Sequence, residues 1–505
     1  MKWYYVFPLT LFCYLLNGVP NIQAGTLGES LIAQESENEN LLVNSRFPEL
    51  KRGINLSEWF TNTNKFNPNH FTQEDLRSIK SLGFEHVRLP IAPEFLFDES
   101  NPAVLKTDYL SDLDRALDLI QANDLSVIID LHPKNDFKEK LATDDTFVDS
   151  VTQFWGSLAK HLSSRNPEQV FLEVINEPSF NYFLQNDPTI DPVERWNVVQ
   201  RKLVDAINKE APNHTIILKG HDWGETINSL LELTPIKEET STVDTTLEEN
   251  STPVEPGEET VAEINKPSEK YVYNFHFYDP MIFTHQGITW LDEELAFIKN
   301  LPYPFNEEVC AAAVGEIVDE TAKIWAQDYC NQQWDAARLE RRIAQAANWA
   351  QEHNVLLTAN EFGVYRNFVR PEDRVAWLGD VRSLFEKYNI GWSMWDYFSP
   401  FGLVRENEFG DRILNENIAT ALGLTLPTIP SESESSTSPT VTPEAEIENS
   451  VTPEDQLSSL VISNKELESL LTPQEIPQPK RVPEPSAIAG FAVLTYMGKK
   501  LKRRA

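Results

Sequence analysis

The sequence predicts a closed (β/α)8 TIM barrel that carries a disordered acidic insertion and is followed by a C-terminal linker. Three observations support this fold class. Eight apolar strand-like runs alternate with amphipathic helical patterns, two of the runs end in a glutamate, and no glycine-rich phosphate turn follows the first run. Alternating units favour a parallel sheet, and polar chemistry at the carboxyl ends of strands is typical of barrels. A doubly wound open sheet is the alternative, and the missing phosphate turn disfavours it.

The two runs that end in glutamate are the most informative elements. Residues 169–178 form an apolar run typical of a strand covered on both faces, and a proline stops it just past Asn176 and Glu177. Residues 355–363 repeat the design and place Glu361 in the matching position. Two glutamates at two strand ends therefore predict paired-carboxylate chemistry.

The other elements follow in order along the chain. A capping-box-like start from Thr72 to Asp75 opens an amphipathic helix, and Gly83 ends it. The further helical patterns are 111–123, 193–210, 335–353 and 371–388. The eight predicted strands are 52–56, 84–90, 125–132, the run in 169–178, 215–219, 271–278, 355–363 and 390–397.

Two segments interrupt the alternation. Residues 237–270 are rich in Thr, Glu and Pro and have almost no aromatic residues, so they cannot bury enough apolar surface to fold. This composition predicts a disordered insertion. Residues 279–334 keep their aromatic residues and predict a long folded loop over the barrel mouth. Cys310 and Cys330 lie in this second segment. Export would permit a disulfide between them, and two buried free thiols are the alternative.

The net charge and the absence of certain motifs exclude several classes of binding partner and cofactor. The formal net charge of −35 argues against nucleic acid and anionic membrane surfaces, and suits a soluble protein that acts on neutral substrates. The sequence has no His-Glu-x-x-His motif, no paired Cys-x-x-Cys and no phosphate loop. We therefore expect no metal and no cofactor, and we expect a monomer.

Both ends of the chain carry targeting patterns. Residues 1–24 contain one lysine, an apolar run and a small-residue end, which is typical of a secretory signal peptide; the run is shorter than the ~20 residues of a membrane anchor. Residues 427–480 predict an extended acidic linker rich in Ser, Thr and Pro. Residues 482–505 combine Pro-Glu-Pro, a short apolar run and a basic cluster. This order resembles the PEP-CTERM sorting signal of Gram-negative bacteria, with a frayed amphipathic tail as the alternative. The resemblance implies transient membrane association and a secreted or cell-surface location.

Within a predicted catalytic domain of residues 45–426, the motifs resemble those of glycoside hydrolase family 5, the cellulase-like retaining glycosidases. The resemblance implies that Glu177, in Asn-Glu-Pro, is the acid/base and that Glu361, in Glu-Phe-Gly, is the nucleophile. One departure is Asn360, because the family often has glycine directly before the nucleophile. The residues that match the family's supporting positions are Arg88, His132, Asn176, His276, Tyr278 and Trp395.

Each supporting residue type has a chemical reason. Hydrolysis with retention needs two carboxyl groups about 5 to 5.5 Å apart. Arg88 would keep Glu361 ionised, Tyr278 would donate to Glu361, and Asn176 would bind the sugar 2-hydroxyl. The two histidines would line the site and Trp395 would face a sugar ring, although packed core histidines and a core tryptophan are the alternatives. Glu173 and Asp130 are expected to make internal ion pairs.

The predicted function is that of a secreted endo-acting β-glucanase, with β-1,4-glucan as the first substrate and mannan or β-1,3-glucan as rivals. A non-catalytic barrel that binds glycan at the cell surface is a second hypothesis, and a matrix protein directed by its tail is a third. The Glu177 and Glu361 pair argues against a pure binder, and a matrix protein would not need the barrel. The sugar and linkage depend on loop shape.

Overall fold

The computed structural model of the chain describes residues 47–61, 69–223, 226–236 and 267–426. The predicted signal peptide, the acidic linker, the sorting-signal segment and most of the acidic insertion lie outside the described residues.

Eight parallel strands close into a barrel in sequential order, with β1 paired to both β2 and β8. This arrangement confirms the (β/α)8 barrel and rules out the open sheet. A short antiparallel pair, β9 and β10, follows the barrel. The strands are β1 Arg52–Asn55, β2 His86–Ile91, β3 Ser126–Leu131, β4 Val170–Glu173, β5 Ile216–Lys219, β6 Ser268–Phe277, β7 Val355–Phe362, β8 Gly391–Met394, β9 Val404–Glu406 and β10 Arg412–Leu414.

Helices cover the outside of the barrel. Three short 3-10 helices span Phe47–Leu50, Pro93–Phe95 and Glu293–Phe297. The α-helices are α1 Gln73–Ser81, α2 Thr107–Gln121, α3 Asn135–Thr143, α4 Asp145–Leu162, α5 Phe180–Leu184, α6 Pro192–Glu210, α7 Thr226–Leu231, α8 Met281–Thr284, α9 Glu307–Gly315, α10 Glu320–Gln332, α11 Ala336–His353, α12 Pro371–Lys387 and α13 Glu416–Ala421. Among these described helices, none combines the length and the apolar character needed to cross a bilayer.

Helix α1 illustrates how local sequence sets an element. The Thr72 side chain accepts the N–H of Asp75 at 3.2 Å, and the Asp75 carboxylate accepts the N–H of Thr72 at 2.7 Å. This reciprocal pair satisfies two amide donors that the first helical turn leaves free, as the predicted capping box requires. After the helix, Gly83 has a φ of +96°, a conformation that glycine adopts without a steric penalty.

The barrel interior changes from apolar to polar along the strands. Its lower end is closed by a cluster of Leu50, Ile128, Phe171, Ile217, Val272 and Leu356. Two residues further along β3, β4, β5 and β6 lie Asp130, Glu173, Lys219 and Asn274, all buried. Because side chains two apart on a strand face the same side, this polar layer rests directly on the apolar cluster. The polar layer therefore forms the base of the region at the carboxyl ends of the strands.

Several element boundaries differ from those expected. Strand β6 begins at Ser268 rather than at residue 271, because Ser268 pairs with Val355 and Lys270 donates to backbone carbonyls near the start of β5. Residues 268–270 are therefore strand rather than insertion. Helix α2 begins at Thr107 instead of residue 111. Strand β4 leaves the ladder at Glu173, before Asn176 and Glu177.

The segment 279–334 is folded, as predicted, although it contains helices α8, α9 and α10 instead of a single loop. A disulfide between Cys310 and Cys330 joins α9 to α10 with the Cα atoms 6.0 Å apart. The structure thus favours the disulfide over two free thiols. The first part of the segment, including Trp290 and Leu291, lines the cleft at the barrel mouth.

Candidate active site

A cleft of about 660 Å³ opens at the carboxyl ends of the barrel strands. Seven of the eight predicted site residues line it, and the eighth, Arg88, is fully buried within β2. The seven are His132, Asn176, Glu177, His276, Tyr278, Glu361 and Trp395. The barrel therefore brings together side chains that the sequence separates by more than two hundred positions.

The two glutamates face each other across His276. Its Nδ1 atom lies 2.8 Å from Oε1 of Glu177 and 3.4 Å from Oε2 of Glu361. One carboxylate oxygen of each glutamate and a nitrogen of His276 all lie within 4.8 Å of one another. A retaining glycosidase needs its carboxyl groups about 5 to 5.5 Å apart, whereas an inverting enzyme needs about 6.5 to 9.5 Å. The spacing matches the retaining arrangement.

Arg88 ties the nucleophile candidate to the polar layer. Its Nη1 atom donates to Oε1 of Glu361 at 2.7 Å, its Nε atom to Glu173 at 2.8 Å, and its Nη2 atom lies 2.9 Å from Asp130. These contacts confirm the expected ion pairs of Glu173 and Asp130. Burial lowers the pKa of Arg88, but the three carboxylates outweigh burial and raise that pKa above its ordinary value. Arg88 is therefore a permanent cation beside Glu361.

Tyr278 provides a hydrogen bond to the second carboxylate oxygen of Glu361. Its hydroxyl donates to Oε2 at 3.0 Å, on the carboxylate oxygen that Arg88 leaves open. Burial and the charges of Glu361 and Glu177 raise the pKa of Tyr278 well above its ordinary value, so the phenol keeps its proton and acts as a donor. Arg88 and Tyr278 therefore fix the orientation of the Glu361 side chain at the edge of the cleft.

Asn176 is fixed by a chain of hydrogen bonds. Its Oδ1 atom accepts from Arg88 at 3.0 Å, so its Nδ2 atom faces Nε2 of His132 at 3.3 Å. Nδ1 of His132 then donates to Asp130 at 2.8 Å, which makes Nε2 the acceptor. The His132 ring also stacks on Trp395, with ring centroids 5.9 Å apart and planes 19° apart. This arrangement leaves one N–H of Asn176 available to a ligand.

Glu177 and His276 form a hydrogen-bonded pair whose pKa values are both shifted. Burial raises the pKa of Glu177, but the hydrogen bond from His276 and the charges of Lys138 and Lys219 outweigh burial and lower that pKa. Burial also lowers the pKa of His276, which disfavours the charged imidazolium. Both shifts therefore favour a neutral imidazole whose Nδ1–H donates to the Glu177 carboxylate at 2.8 Å.

Glu177, His276 and Glu361 are close enough together to act as ligands of a metal ion. Both oxygens of Glu361 already accept hydrogen bonds, however, and the Arg88 guanidinium lies 2.7 Å from one of them. A second cation here would be repelled by Arg88. The donor set fits proton transfer and nucleophilic attack better than metal binding.

Several cleft residues were not singled out from the sequence. Trp223 follows the end of β5, Glu58 follows β1, and Trp290 stands 56% exposed on the cleft wall. The available signal was position, because residues just past a barrel strand reach the mouth. Asn360, the departure before Glu361, donates to Glu173 at 2.8 Å and so belongs to the polar layer.

Comparisons with known proteins agree with this geometry. The cellulase model of glycosyl hydrolase family 5 matches residues 47–399. Endoglucanase C of Acetivibrio thermocellus is 28% identical over 362 residues, which are 69% of this chain and 91% of that protein. Thermotoga maritima Cel5A in complex with cellobiose has a TM-score of 0.54 at 20% identity and covers 75% of this chain and 98% of its own. Its complex with mannotriose gives 0.54 at 18% identity, with the same coverage. The two solved structures share the barrel fold.

Proposed function

Because this chain belongs to the cellulases of glycosyl hydrolase family 5 and is a glycoside hydrolase, we propose that it cleaves β-1,4-glucan internally and with retention of configuration. The observation that carries the proposal is the pair of carboxyl groups with oxygens within 4.8 Å of each other, one bonded to Arg88 and the other to His276.

The chemistry would proceed in two displacements. Glu361 attacks the anomeric carbon while Glu177 gives its proton to the leaving glycosidic oxygen, which forms a glycosyl ester on Glu361 and frees the first product. Glu177, now a carboxylate, removes a proton from water, and the water oxygen attacks the anomeric carbon and releases Glu361. Asn176 contributes its free N–H to the 2-hydroxyl, a contact that strengthens in the transition state.

The cleft supports a polymeric substrate. Trp395 lies at the catalytic pair, while Trp223 and the exposed Trp290 lie elsewhere on the lining. Indole rings give sugar rings an apolar surface at low entropic cost. Several such surfaces along one open cleft suit a chain that passes through the site, which favours internal cleavage. The name of Endoglucanase C supports glucan as the polymer, while the mannotriose complex of Cel5A keeps mannan as the rival.

A substrate panel tests the activity. We expect release of reducing sugar from hydroxyethylcellulose and mixed-linkage β-glucan at a kcat/KM about tenfold or more above that on mannan or on β-1,3-glucan, since leaving one buried hydrogen-bonding group of the site unpaired costs about 1 to 3 kcal/mol. The Glu361→Gln variant serves as the inactive control. A preference for mannan would correct the substrate, and no release from any polymer would favour the non-catalytic glycan binder.

Retention of configuration has its own measurement. A proton NMR time course on a cello-oligosaccharide should show the β-anomer of the new reducing end first, with the α-anomer appearing only through mutarotation. The reason is that two successive inversions at the anomeric carbon restore its configuration. Early appearance of the α-anomer would mean a single displacement and would remove Glu361 from the role of nucleophile.

We also propose that the enzyme is exported and then sorted through its C-terminal segment. The support is the sequence pattern alone. Residues 1–24 have the pattern of a signal peptide, and residues 482–505 contain Pro-Glu-Pro, an apolar run and a basic cluster. The native extracellular protein should lack residues 499–505 in mass spectrometry. An intact Arg504-Ala505 terminus would contradict the sorting signal and leave the glycosidase proposal unaffected.

A further inference from the structure

The catalytic cleft continues into a second groove whose walls carry arginines. Asp279, Met281 and Arg342 line both spaces, and the second space, of about 600 Å³, extends to Trp334, Arg338 and Arg341. We call this second space the arginine groove. It lies beside the loop that follows β6 and beside the first turns of α11. A chain that leaves the catalytic pair in this direction would enter the arginine groove.

The three arginines of the groove differ in whether a carboxylate balances their charge. Arg342 donates to Asp279 at 2.8 Å and to Gln345 at 2.7 Å, so a carboxylate already balances it. Arg338 lies over the Trp334 ring at 4.8 Å. Arg341 is exposed and makes neither an ion pair nor a side-chain hydrogen bond within the part of the chain that the structure describes. One aspartate therefore faces three guanidinium groups.

The position of Arg338 is held without a carboxylate. Its Nη1 atom donates to the Gln332 carbonyl at 2.9 Å, and the stacking on Trp334 fixes the plane of the guanidinium. By contrast, Arg165 on the surface is paired with two acids, Asp114 and Asp118. A planar guanidinium held in place by stacking and a carbonyl presents its remaining N–H groups to a carboxylate at little further entropic cost.

We propose that the arginine groove binds carboxylate groups carried by the polysaccharide, so that the enzyme accepts an acidic β-glucan in addition to a neutral one. This inference rests on the proposed glucanase function and adds the charge of the substrate to it. The protein as a whole has a net charge of −35 and repels anions at long range. A local cluster of cations next to the active site offsets that repulsion where the chain binds, and bidentate contacts to guanidinium select carboxylates.

Binding is measured without hydrolysis by placing all variants in the Glu361→Gln background. The probes are carboxymethylcellulose, which is acidic, hydroxyethylcellulose, which is neutral, and cellulose sulfate, which is anionic without carboxylates. Affinity electrophoresis at low and high salt reports the dissociation constant for each. We expect carboxymethylcellulose to bind more tightly than hydroxyethylcellulose at low salt, and this preference should shrink at high salt because exposed charges are screened.

Substitutions of the groove arginines test whether these side chains bind the carboxylates. Arg341→Ala should weaken binding of carboxymethylcellulose by about threefold and the Arg338→Ala, Arg341→Ala double variant by about tenfold, with hydroxyethylcellulose unchanged. Arg341→Lys should retain part of the preference. Arg201→Ala, an exposed arginine in a different surface groove on α6, is the matched control and should change nothing. Because Arg341 is exposed, we expect its substitution to leave the fold intact.

Two results would overturn the inference. One is an unchanged preference for carboxymethylcellulose in the double variant, and the other is tighter arginine-dependent binding of cellulose sulfate than of carboxymethylcellulose. Failure of the glucanase function has a different signature. In that case the parent enzyme would not cleave hydroxyethylcellulose, while the arginine-dependent binding of the acidic probe would persist in the Glu361→Gln background.

Discussion

Replacing Glu361 with glutamine is expected to lower kcat on hydroxyethylcellulose by about 10,000-fold or more, because the amide cannot form the covalent glycosyl intermediate. The change is nearly isosteric. Arg88 can still donate to the amide oxygen, and it keeps its contacts with Asp130 and Glu173, so the barrel should remain folded. The loss therefore concerns the chemical step and not the architecture.

The measurement combines steady-state kinetics with urea unfolding of the same preparations. Glu58→Gln is a matched control, because Glu58 also lines the cleft but, among the described side chains, forms no hydrogen bond or ion pair with Glu177, His276 or Glu361. Its kcat should stay within about tenfold of the parent, as expected for a residue outside the reacting pair. Equal losses in the two variants, or activity of Glu361→Gln within tenfold of the parent, would show that Glu361 is not the nucleophile.

The sequence was sufficient to predict that the two glutamates lie together, because barrel geometry brings the carboxyl ends of the strands to one face. Glu177 and Glu361 could be assigned to one site since the carboxyl ends of parallel strands meet at one face. Arg88, His132 and Tyr278 were predicted from the family resemblance, and the structure places His132 and Tyr278 in the cleft and Arg88 against Glu361. Asp130 and Glu173 fitted as ion-pair partners because charges inside apolar strands need compensation.

Other features depended on contacts that no local pattern encodes. Glu177 has a φ of +41° and lies outside the β4 ladder, which reflects how the loop after β4 packs and not its residue types. Asn360 stands where the family often has glycine. Its hydrogen bond to Glu173 becomes visible only in the folded barrel, where β4 and β7 bring the two side chains together. The arginine groove likewise needs the loop after β6 to meet the start of α11.

The largest expected effect on stability comes from Arg88. Replacing it with methionine leaves Asp130, Glu173 and Glu361 buried without their cation, and losing one partner of a buried ion pair costs about 3 to 5 kcal/mol. The free energy of unfolding in urea at pH 7 should fall by at least that range. Arg165→Met is the matched control, because Arg165 pairs with Asp114 and Asp118 at the surface and should cost about 1 kcal/mol or less.

The pH dependence separates a lost ion pair from a simple packing defect. In the parent, burial raises the pKa of Glu173, but Arg88 outweighs burial and lowers it to about 2, so this group adds stability above its unfolded pKa and loses it as the pH falls toward 2. Without Arg88, burial dominates and the folded pKa of Glu173 rises above the unfolded value. The variant is then most stable at acidic pH and loses stability as the pH rises through the raised pKa.

The stability difference between parent and Arg88→Met should therefore be smaller at pH 4 than at pH 7. A difference that is constant over this range would mean that methionine disturbs packing and that Arg88 does not hold the buried carboxylates in their charged form.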